Sequence, residues 1–226
     1  MSVFISAWRR LVRFGFYLLY NPLAFTYDSV SKLVSFGAWR CWQRAALAHL
    51  PRDGWALELA HGTGDLQIDL AAAGVSSIGY DLSANMGRIA RQKLSRHGVV
   101  PRLVRGRAQT LPFADGAFRS VVSTFPTDFI IDPETLREVR RVLAADGILV
   151  IVPSALFTGG GAAVRLLDGL YRITGQRQRV NEQTLPEDML RVEAAALLEP
   201  YGFSVETFWH DCQRSRALVI TARKHA

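Results

Sequence analysis

Short apolar runs alternate with amphipathic segments from residue 55 onward, and this alternation predicts an α/β domain. The apolar runs have the length of buried strands, and the segments between them repeat their apolar positions at helical spacing. The predicted strands are 55–60, 78–81, 102–105, 121–126, 148–152, 203–209 and 217–222. The predicted helices that follow the first strand begin near residues 66, 84, 133 and 186. Ser83 suits the N-cap of the second of these, and Gly98 suits its stop.

Two further helical patterns precede the first strand. Residues 4–20 combine aromatic and aliphatic side chains with Arg9, Arg10 and Arg13, which is typical of a helix lying in a bilayer interface. The same apolar side can instead cap the domain or contact a second subunit. The arginines argue against a transmembrane span, and no cleavage site of small residues follows. Residues 29–50 predict one long helix that Pro51 ends.

The stretch from Ala56 to Asp65 predicts a ligand-binding turn between the first strand and the next helix. Gly62 and Gly64 let backbone N–H groups approach a ligand, and the helix N-terminus adds positive partial charge. Such a turn suits a nucleotide-like ligand that carries a carboxylate or a phosphate. Gln67 stands where a dinucleotide fingerprint requires a third glycine, which disfavours a nicotinamide cofactor.

Two acids narrow the ligand further. Glu58 lies within the first strand, where an exposed carboxylate can bind an ammonium group. Asp81 ends the second strand, where an acid usually holds ribose hydroxyls. A ligand with ribose, adenine, an amino group and a carboxylate is S-adenosylmethionine.

These segments resemble the first two motifs of class I S-adenosylmethionine-dependent methyltransferases, with Ala60 in place of the family's usual glycine. Small-molecule methyltransferases similar to those of ubiquinone and menaquinone biosynthesis also carry a Tyr-Asp before their first helix, as Tyr27 and Asp28 do here. The resemblance implies an α/β fold with a Rossmann-like, doubly wound sheet of about seven strands, mostly parallel with an antiparallel last strand. It further implies a helical lid, or a membrane-docking segment, in residues 1–50 and a methyltransferase domain in residues 51–226. Residues 154–185 form a stretch longer than the bare fold needs, which predicts an inserted helical cap over the acceptor.

The resemblance also implies roles for individual residues. Tyr27 would close over the methionine end of the cofactor, and the backbone of Ala108 would meet the adenine ring. Arg107 replaces an acid that holds the adenine amine in the family, so Gln109 is the candidate substitute. The expected contacts of S-adenosylmethionine, and of its product S-adenosylhomocysteine, are Tyr27, Glu58, Ala60, Gly62, Gly64, Asp81, Leu82, Met86, Ala108, Gln109, Thr124 and Phe125.

The exit of the fourth strand predicts the junction of cofactor and acceptor, because ligands lie outside the carboxyl ends of such strands. Residues 124–129 form this exit, and Asp128 is its only titratable side chain. Asp128 is therefore the candidate catalytic base or acceptor-orienting group. Its alternative role is a negative charge near the N-terminus of the following helix.

The charge and cysteine content restrict the partners and the compartment that the sequence predicts. The net charge of +7 is carried mostly by scattered arginines, which are typical of solvated faces, and no nucleic-acid-binding pattern appears. Cys41 and Cys212 are far apart and form no disulfide framework or zinc spacing, so the expected compartment is reducing. The expectation is a cytoplasmic protein without a metal, with peripheral attachment to an anionic inner-membrane face left open. Monomer and homodimer are both left open.

The sequence thus predicts an S-adenosylmethionine-dependent methyltransferase that acts on a small or amphipathic hydrophobic acceptor, such as a lipid, a quinone or a secondary metabolite. Two alternatives stay open. One is a module that binds the cofactor without catalysis, which the departures at Ala60, Arg107 and Arg119 favour. The other is a nicotinamide-dependent oxidoreductase, which Gln67 disfavours.

Overall fold

The computed structural model describes residue 15, residues 23–158 and residues 187–225, and it places seven strands in one sheet with helices on both faces. The strands are β1 (Trp55–Leu59), β2 (Ser76–Asp81), β3 (Leu103–Arg105), β4 (Phe118–Thr124), β5 (Leu143–Phe157), β6 (Phe203–Cys212) and β7 (Ser215–Lys224). The helices are α1 (Tyr27–Val34), α2 (Trp39–Arg44), α3 (Asp65–Ala72), α4 (Ala84–Arg96), α5 (Pro133–Val142) and α6 (Glu187–Leu198). Short 3-10 turns cover Ala24–Thr26, Ala45–His49, Asp128–Ile131 and Glu199–Tyr201.

The strand order is β3-β2-β1-β4-β5-β7-β6. The first five strands pair in parallel, and β7 is antiparallel to both of its neighbours. The predicted Rossmann-like sheet is therefore confirmed. Because the order reverses between β1 and β4, the crossovers leave a crevice at their carboxyl ends, which is where such sheets bind ligands.

Two apolar cores fix the sheet between its helical layers. Leu57 and Leu59 of β1 face a core that α5 and α6 complete. Ala56 of the same strand faces the opposite core, which Leu66 and Leu70 of α3 complete. Successive side chains of a strand point to opposite faces, so one buried strand serves both layers.

Several predicted boundaries are shifted, and two of the differences change the description of the fold. The single helix expected over residues 29–50 is wrong, because the chain turns at Phe36 and Gly37, whose φ angles are +49° and +83°. Helix α1 ends before this turn and α2 begins after it. Strand β5 runs beyond Pro153 to Phe157, and the register with β7 shifts between Ile151 and Ser154 to accommodate it.

Two other predictions fall largely or wholly outside the described residues. These are the interfacial helix of residues 4–20, apart from Gly15, and the cap at about 154–185 beyond Thr158. In the part of the chain that the structure describes, no helix is long and apolar enough to cross a membrane.

The cysteines are paired, although the sequence showed no disulfide framework. Cys41 of α2 and Cys212 at the end of β6 form a disulfide. Their sequence separation of 171 residues concealed this, because the outer strand β6 returns beside the N-terminal helices. The cysteines therefore give no support for a reducing compartment.

Candidate active site

The turn between β1 and α3 has the shape that ligand binding requires. Ala60, Gly62 and Gly64 adopt φ angles of +58°, +54° and +85°. A Cβ on Gly62 would meet no atom within 4 Å, so this side of the turn opens into free space. A Cβ on Gly64 would approach Ala90 of α4 to 3.0 Å, so that glycine serves helix packing instead. Ala60 holds the left-handed conformation at a cost, since an L side chain strains it by roughly 1–2 kcal/mol.

Asp81 joins the second strand to this turn. One carboxylate oxygen accepts the Gly62 N–H at 2.9 Å, and the other accepts the Ser83 N–H at 2.7 Å. Each carboxylate oxygen can accept a second hydrogen bond, so a diol can still bind. Asp81 is half-buried at the edge of the crevice, where ribose hydroxyls were expected.

Glu58 does not present the exposed carboxylate that was expected. It is 1% exposed and accepts a hydrogen bond of 2.6 Å from the Gln67 side chain, whose oxygen in turn accepts from Ser77 at 3.0 Å. Burial raises the pKa of Glu58 to about 8. The alternation of β1 causes this placement, because Glu58 shares the α3 face with Ala56. Glu58 therefore supports the turn from below, with its carboxylate turned away from solvent and bonded to Gln67.

His61 packs beneath the same turn. Its ring is buried against Gly79, on which a Cβ would lie 3.0 Å from the imidazole. Desolvation lowers the pKa of His61, which keeps the ring neutral near pH 7. Gly79 thus has a packing role, and His61 fills the space that it leaves.

A polar network that the sequence did not reveal ties α1 to the turn. Asp28 accepts from Thr63 at 2.6 Å and pairs with Lys93 of α4 at 2.5 Å. Lys93 also donates to Thr63 at 3.1 Å and pairs with Asp65 at 3.0 Å. We call these four residues the Asp28–Lys93 network. The Tyr-Asp pair was the only signal for it, since the partners lie far away along the chain.

The expected adenine surface is only partly present. Leu82 follows Asp81 and is 63% exposed, so it offers apolar surface to a ligand. Met86 is fully buried in the core, because the helix that Ser83 caps turns it inward, and its expected ligand contact is not supported. Ala108 packs partly against the core, and the Gln109 amide donates to Asp132 at 3.3 Å.

Helix α5 fixes the loop that follows Gln109. Glu138 accepts the Leu111 N–H at 2.7 Å, and Arg141 donates to the carbonyls of Leu111 at 2.9 Å and Phe113 at 2.7 Å. The hydrogen bond with Arg141 is the main reason that the pKa of Glu138 is lowered. Glu138 and Arg141 of α5 therefore serve to position this loop.

Six aromatic rings meet where the N-terminal helices reach the ends of β4 and β5. We call them the aromatic cluster: Tyr27, Phe36, Trp39, Trp42, Phe125 and Phe157. Trp39 stacks on Phe125 with ring centroids 4.3 Å apart. Phe125 holds a φ of +50° while its N–H donates to Val152 at 2.7 Å. Residues with strained backbone of this kind are more frequent at functional sites.

The side chains beside Phe125 differ in access. Thr124 is buried and accepts a hydrogen bond of 3.3 Å from the Gln43 amide of α2. Asp128 is exposed at the start of the 3-10 turn that follows Phe125. Asp132, and not Asp128, caps α5, where it accepts the Glu134 N–H at 2.8 Å. The alternative helix-terminus role thus belongs to Asp132.

Comparison with known proteins agrees with this architecture. The model of the ubiE/COQ5 methyltransferase family matches residues 17–158. A ubiquinone/menaquinone biosynthesis C-methyltransferase UbiE of Geotalea uraniireducens is 34% identical over 142 residues, covering 59% of this chain and 60% of that protein. A demethylmenaquinone methyltransferase of Thermus thermophilus is 39% identical over 139 residues, covering 59% of this chain and 63% of that protein.

Solved structures share the fold at lower identity. A SAM-dependent methyltransferase of Thermotoga maritima superposes with a TM-score of 0.58 at 21% identity, covering 88% of this chain and 95% of its own. A phosphoethanolamine N-methyltransferase 2 of Haemonchus contortus, solved with S-adenosylhomocysteine, superposes with a TM-score of 0.58 at 16% identity. The match covers 84% of this chain and 53% of the other. Since the family model matches well over half of the sequence, this chain belongs to the ubiE/COQ5 methyltransferase family.

Proposed function

We propose that this protein is an S-adenosylmethionine-dependent methyltransferase whose acceptor is a flat hydrophobic molecule of the quinone type. The observation that carries the proposal is the open side of the glycine turn at Gly62, directly beside the carboxylate of Asp81. The matched relatives are named as methyltransferases of ubiquinone or menaquinone biosynthesis, and this chain spans about 60% of the length of the first of them.

The residues present fit this cofactor. In the proposed complex, the open turn at Gly62 faces the methionine end, and Asp81 accepts hydrogen bonds from the ribose hydroxyls. Leu82 offers its exposed side chain to the adenine, and the backbone of Ala108 is the second proposed adenine contact. Glu58 keeps its place under the turn and is left out of the proposed contacts.

The cofactor, when bound, supplies a methyl group on an already activated sulfonium. The protein therefore has to orient the acceptor, exclude water and, for a hydroxyl or carbon acid, accept a proton. We assign orientation and water exclusion to the aromatic cluster, and Thr124 and Phe125 to the boundary between cofactor and acceptor. Asp128 is exposed at that boundary, so it is the proposed proton acceptor.

The aromatic cluster supports the acceptor class. Trp39 and Phe125 already stack on each other, and aromatic faces favour a second flat ring at similar spacing. A quinone ring has this shape, and the names of the relatives agree with it.

Incubation of the full chain with methyl-labelled S-adenosylmethionine and a demethylated quinone, offered in oxidised and reduced form, tests the proposal. We expect the label in the quinone and an equal amount of S-adenosylhomocysteine. Cofactor binding without transfer to any of a broad acceptor panel would favour the binding-module alternative. Tighter binding of NADH than of S-adenosylmethionine would favour the oxidoreductase.

We further propose that the N-terminal helices act as a lid on the cofactor rather than as a separate domain. The Asp28–Lys93 network supports this, because it connects α1 to Thr63 inside the glycine turn. Lys93 and both of its acidic partners are largely shielded from water, so their pairing is weakly screened.

Replacement of Lys93 by Met tests the lid. The change leaves Asp28 and Asp65 unpaired, at a cost of about 1–3 kcal/mol, and we expect weaker S-adenosylmethionine binding by calorimetry, by roughly tenfold. Arg88→Met on the same helix removes only a contact with Asn85 and should change nothing. Equal cofactor affinity in the two folded variants would contradict the lid.

Contact with an anionic membrane is the remaining part of the proposal. Phe25 and Leu33, next to the segment 4–20, are 73% and 74% exposed, and large apolar side chains at such exposure suit a bilayer interface. The arginines of residues 4–20 would meet lipid phosphates on the cytoplasmic face of the inner membrane.

Flotation with vesicles of phosphatidylglycerol and phosphatidylcholine tests the membrane contact. We expect the full chain to float at low salt and to dissociate as salt rises, because screening weakens the arginine contribution. The double variant Phe25→Ser/Leu33→Ser should float less, whereas Val100→Ser, a control at a residue that is 66% exposed, should not. A chain that stays at the bottom of the gradient at low salt is not a membrane-docked protein.

A further inference from the structure

Three side chains with metal-binding chemistry meet between α2 and the end of β6. They are Cys41 of α2 and His210 and Cys212 of β6, and their sulfur and nitrogen atoms all lie within 4.8 Å of one another. Cys212 is buried, and the other two are half-buried. The cluster contributes no group to the proposed methyl-transfer site.

The fold holds these residues together by ordinary strand geometry. His210 and Cys212 are two positions apart on β6, so they lie on the same face of the outer strand. The Trp42 indole of α2 donates to the Ser215 hydroxyl at 2.8 Å, and that hydroxyl donates to the Cys212 carbonyl at 3.2 Å. These bonds keep α2 against the end of β6 independently of the sulfur atoms.

We propose that Cys41, His210 and Cys212 bind one Zn²⁺ ion when the disulfide is reduced. Two thiolates and one imidazole are ligands that zinc prefers, and water can complete a tetrahedral site. A thiol reductant supplies two electrons and two protons, which convert the disulfide to two thiols while the reductant becomes its own disulfide. Zinc then displaces both thiol protons to solvent.

Both the disulfide and the proposed zinc site would hold α2 against β6. Because α2 also carries residues of the aromatic cluster, the site is linked to that cluster through the helix. Helix α2 also carries Trp39, which stacks on Phe125, and Gln43, which donates to Thr124. A zinc site would therefore preserve in the reduced protein the support that the disulfide gives in the oxidised one.

The test uses the full chain, reduced, freed of metal and titrated with Zn²⁺ and, separately, Co²⁺ under anaerobic conditions. We expect one equivalent of Zn²⁺ and a Co²⁺ spectrum with thiolate charge-transfer bands. His210→Ala should weaken zinc binding by at least about tenfold, since even losing a supporting group of a ligand costs that much. His97→Ala, which removes an exposed histidine at the end of α4, is the matched control and should bind normally.

A reduced, folded protein that binds no zinc, or that binds it equally well after His210→Ala, would overturn the proposal. Co²⁺ binding without thiolate charge-transfer bands would also overturn it. The oxidised protein should bind no zinc and show no free thiols, and it should regain one zinc equivalent on reduction. Cys41→Ser gives the second check, because it removes one of the two thiolates and should lower both the zinc affinity and the charge-transfer intensity per bound Co²⁺.

Discussion

The two sides of the crevice differ in chemical character, one being polar and the other aromatic. On the side of β1 and β2, polar groups hold the backbone: Asp81 binds the Gly62 N–H, and the Asp28–Lys93 network fixes Thr63. On the side of β4 and β5, aromatic rings and the strained backbone of Phe125 form the surface. The proposed function assigns the cofactor to the first side and the acceptor to the second, whose apolar lining is typical of a small-molecule site.

The difference predicts that changes on each side have separate effects. Substitutions around the glycine turn should alter cofactor binding and stability, because each polar group there has a fixed partner. Substitutions in the aromatic cluster should alter acceptor use while cofactor affinity stays the same. The predictions below test that separation.

The largest expected effect is on stability and comes from Glu58. Burial raises its pKa from an ordinary value of 4.5 to about 8, so between these values the folded chain keeps a proton that the unfolded chain releases. Stability from this group is fully present below the unfolded pKa and falls by roughly 1.4 kcal/mol per pH unit until pH passes the folded pKa. Urea unfolding at about pH 5 and about pH 8 measures it.

Glu58→Gln keeps an oxygen for the Gln67 amide and cannot titrate, so its stability should change little over this range. Glu193→Gln on the exposed face of α6 is the control and should behave as the wild type does. Parallel pH profiles for all three proteins would show that Glu58 is not buried as a neutral acid.

A smaller effect is expected from Trp39→Ala in the aromatic cluster. Loss of the stacked pair with Phe125, worth about 0.5–1.5 kcal/mol, should raise the acceptor KM by roughly 2–12-fold. The affinity for S-adenosylmethionine should be unchanged. Trp55→Ala at the opposite end of the sheet should alter neither constant. A change in cofactor affinity equal to the change in KM would remove the distinction between the two sides.

The smallest effect is expected from Ala60→Gly. Glycine relieves the strain of a φ of +58°, which costs the folded protein roughly 1–2 kcal/mol. Glycine also makes the unfolded chain more flexible, which lowers stability by about 0.5–1 kcal/mol. We therefore expect the free energy of unfolding in urea to rise by at most about 1.5 kcal/mol. Ala71→Gly on the exposed face of α3, where φ is helical, should instead lose stability. A loss of similar size in both variants would contradict the strain at Ala60.

How far the sequence predicts the molecule depends on whether a feature is local. Strand β1, the glycine turn and the cap at Ser83 follow from neighbouring residues, and the structure confirms them. The Asp28–Lys93 network and the Cys41–Cys212 pair join residues that are distant along the chain, so no spacing rule could reveal them.

Side-chain direction was the other source of error. Glu58 and Met86 were expected to face the ligand, but the alternation of β1 and the turn of α4 direct both into the interior. A strict count of faces along β1 predicts this for Glu58, because Ala56 and Glu58 must lie on the same side. For Met86, the direction of the side chain depends on how α4 packs against the sheet, which the local sequence does not determine.

Calorimetric titration of S-adenosylmethionine into the wild type, Asp81→Ala and Asp53→Ala tests the central claim most directly. Asp81→Ala loses the bond to the Gly62 N–H and the proposed bonds to ribose, so binding should weaken by about 1.5–3 kcal/mol, or roughly 10–150-fold. Asp53 is exposed at the other end of β1, and its variant should bind as the wild type does. Unchanged binding in a folded Asp81→Ala protein would contradict the assignment of the cofactor to this turn.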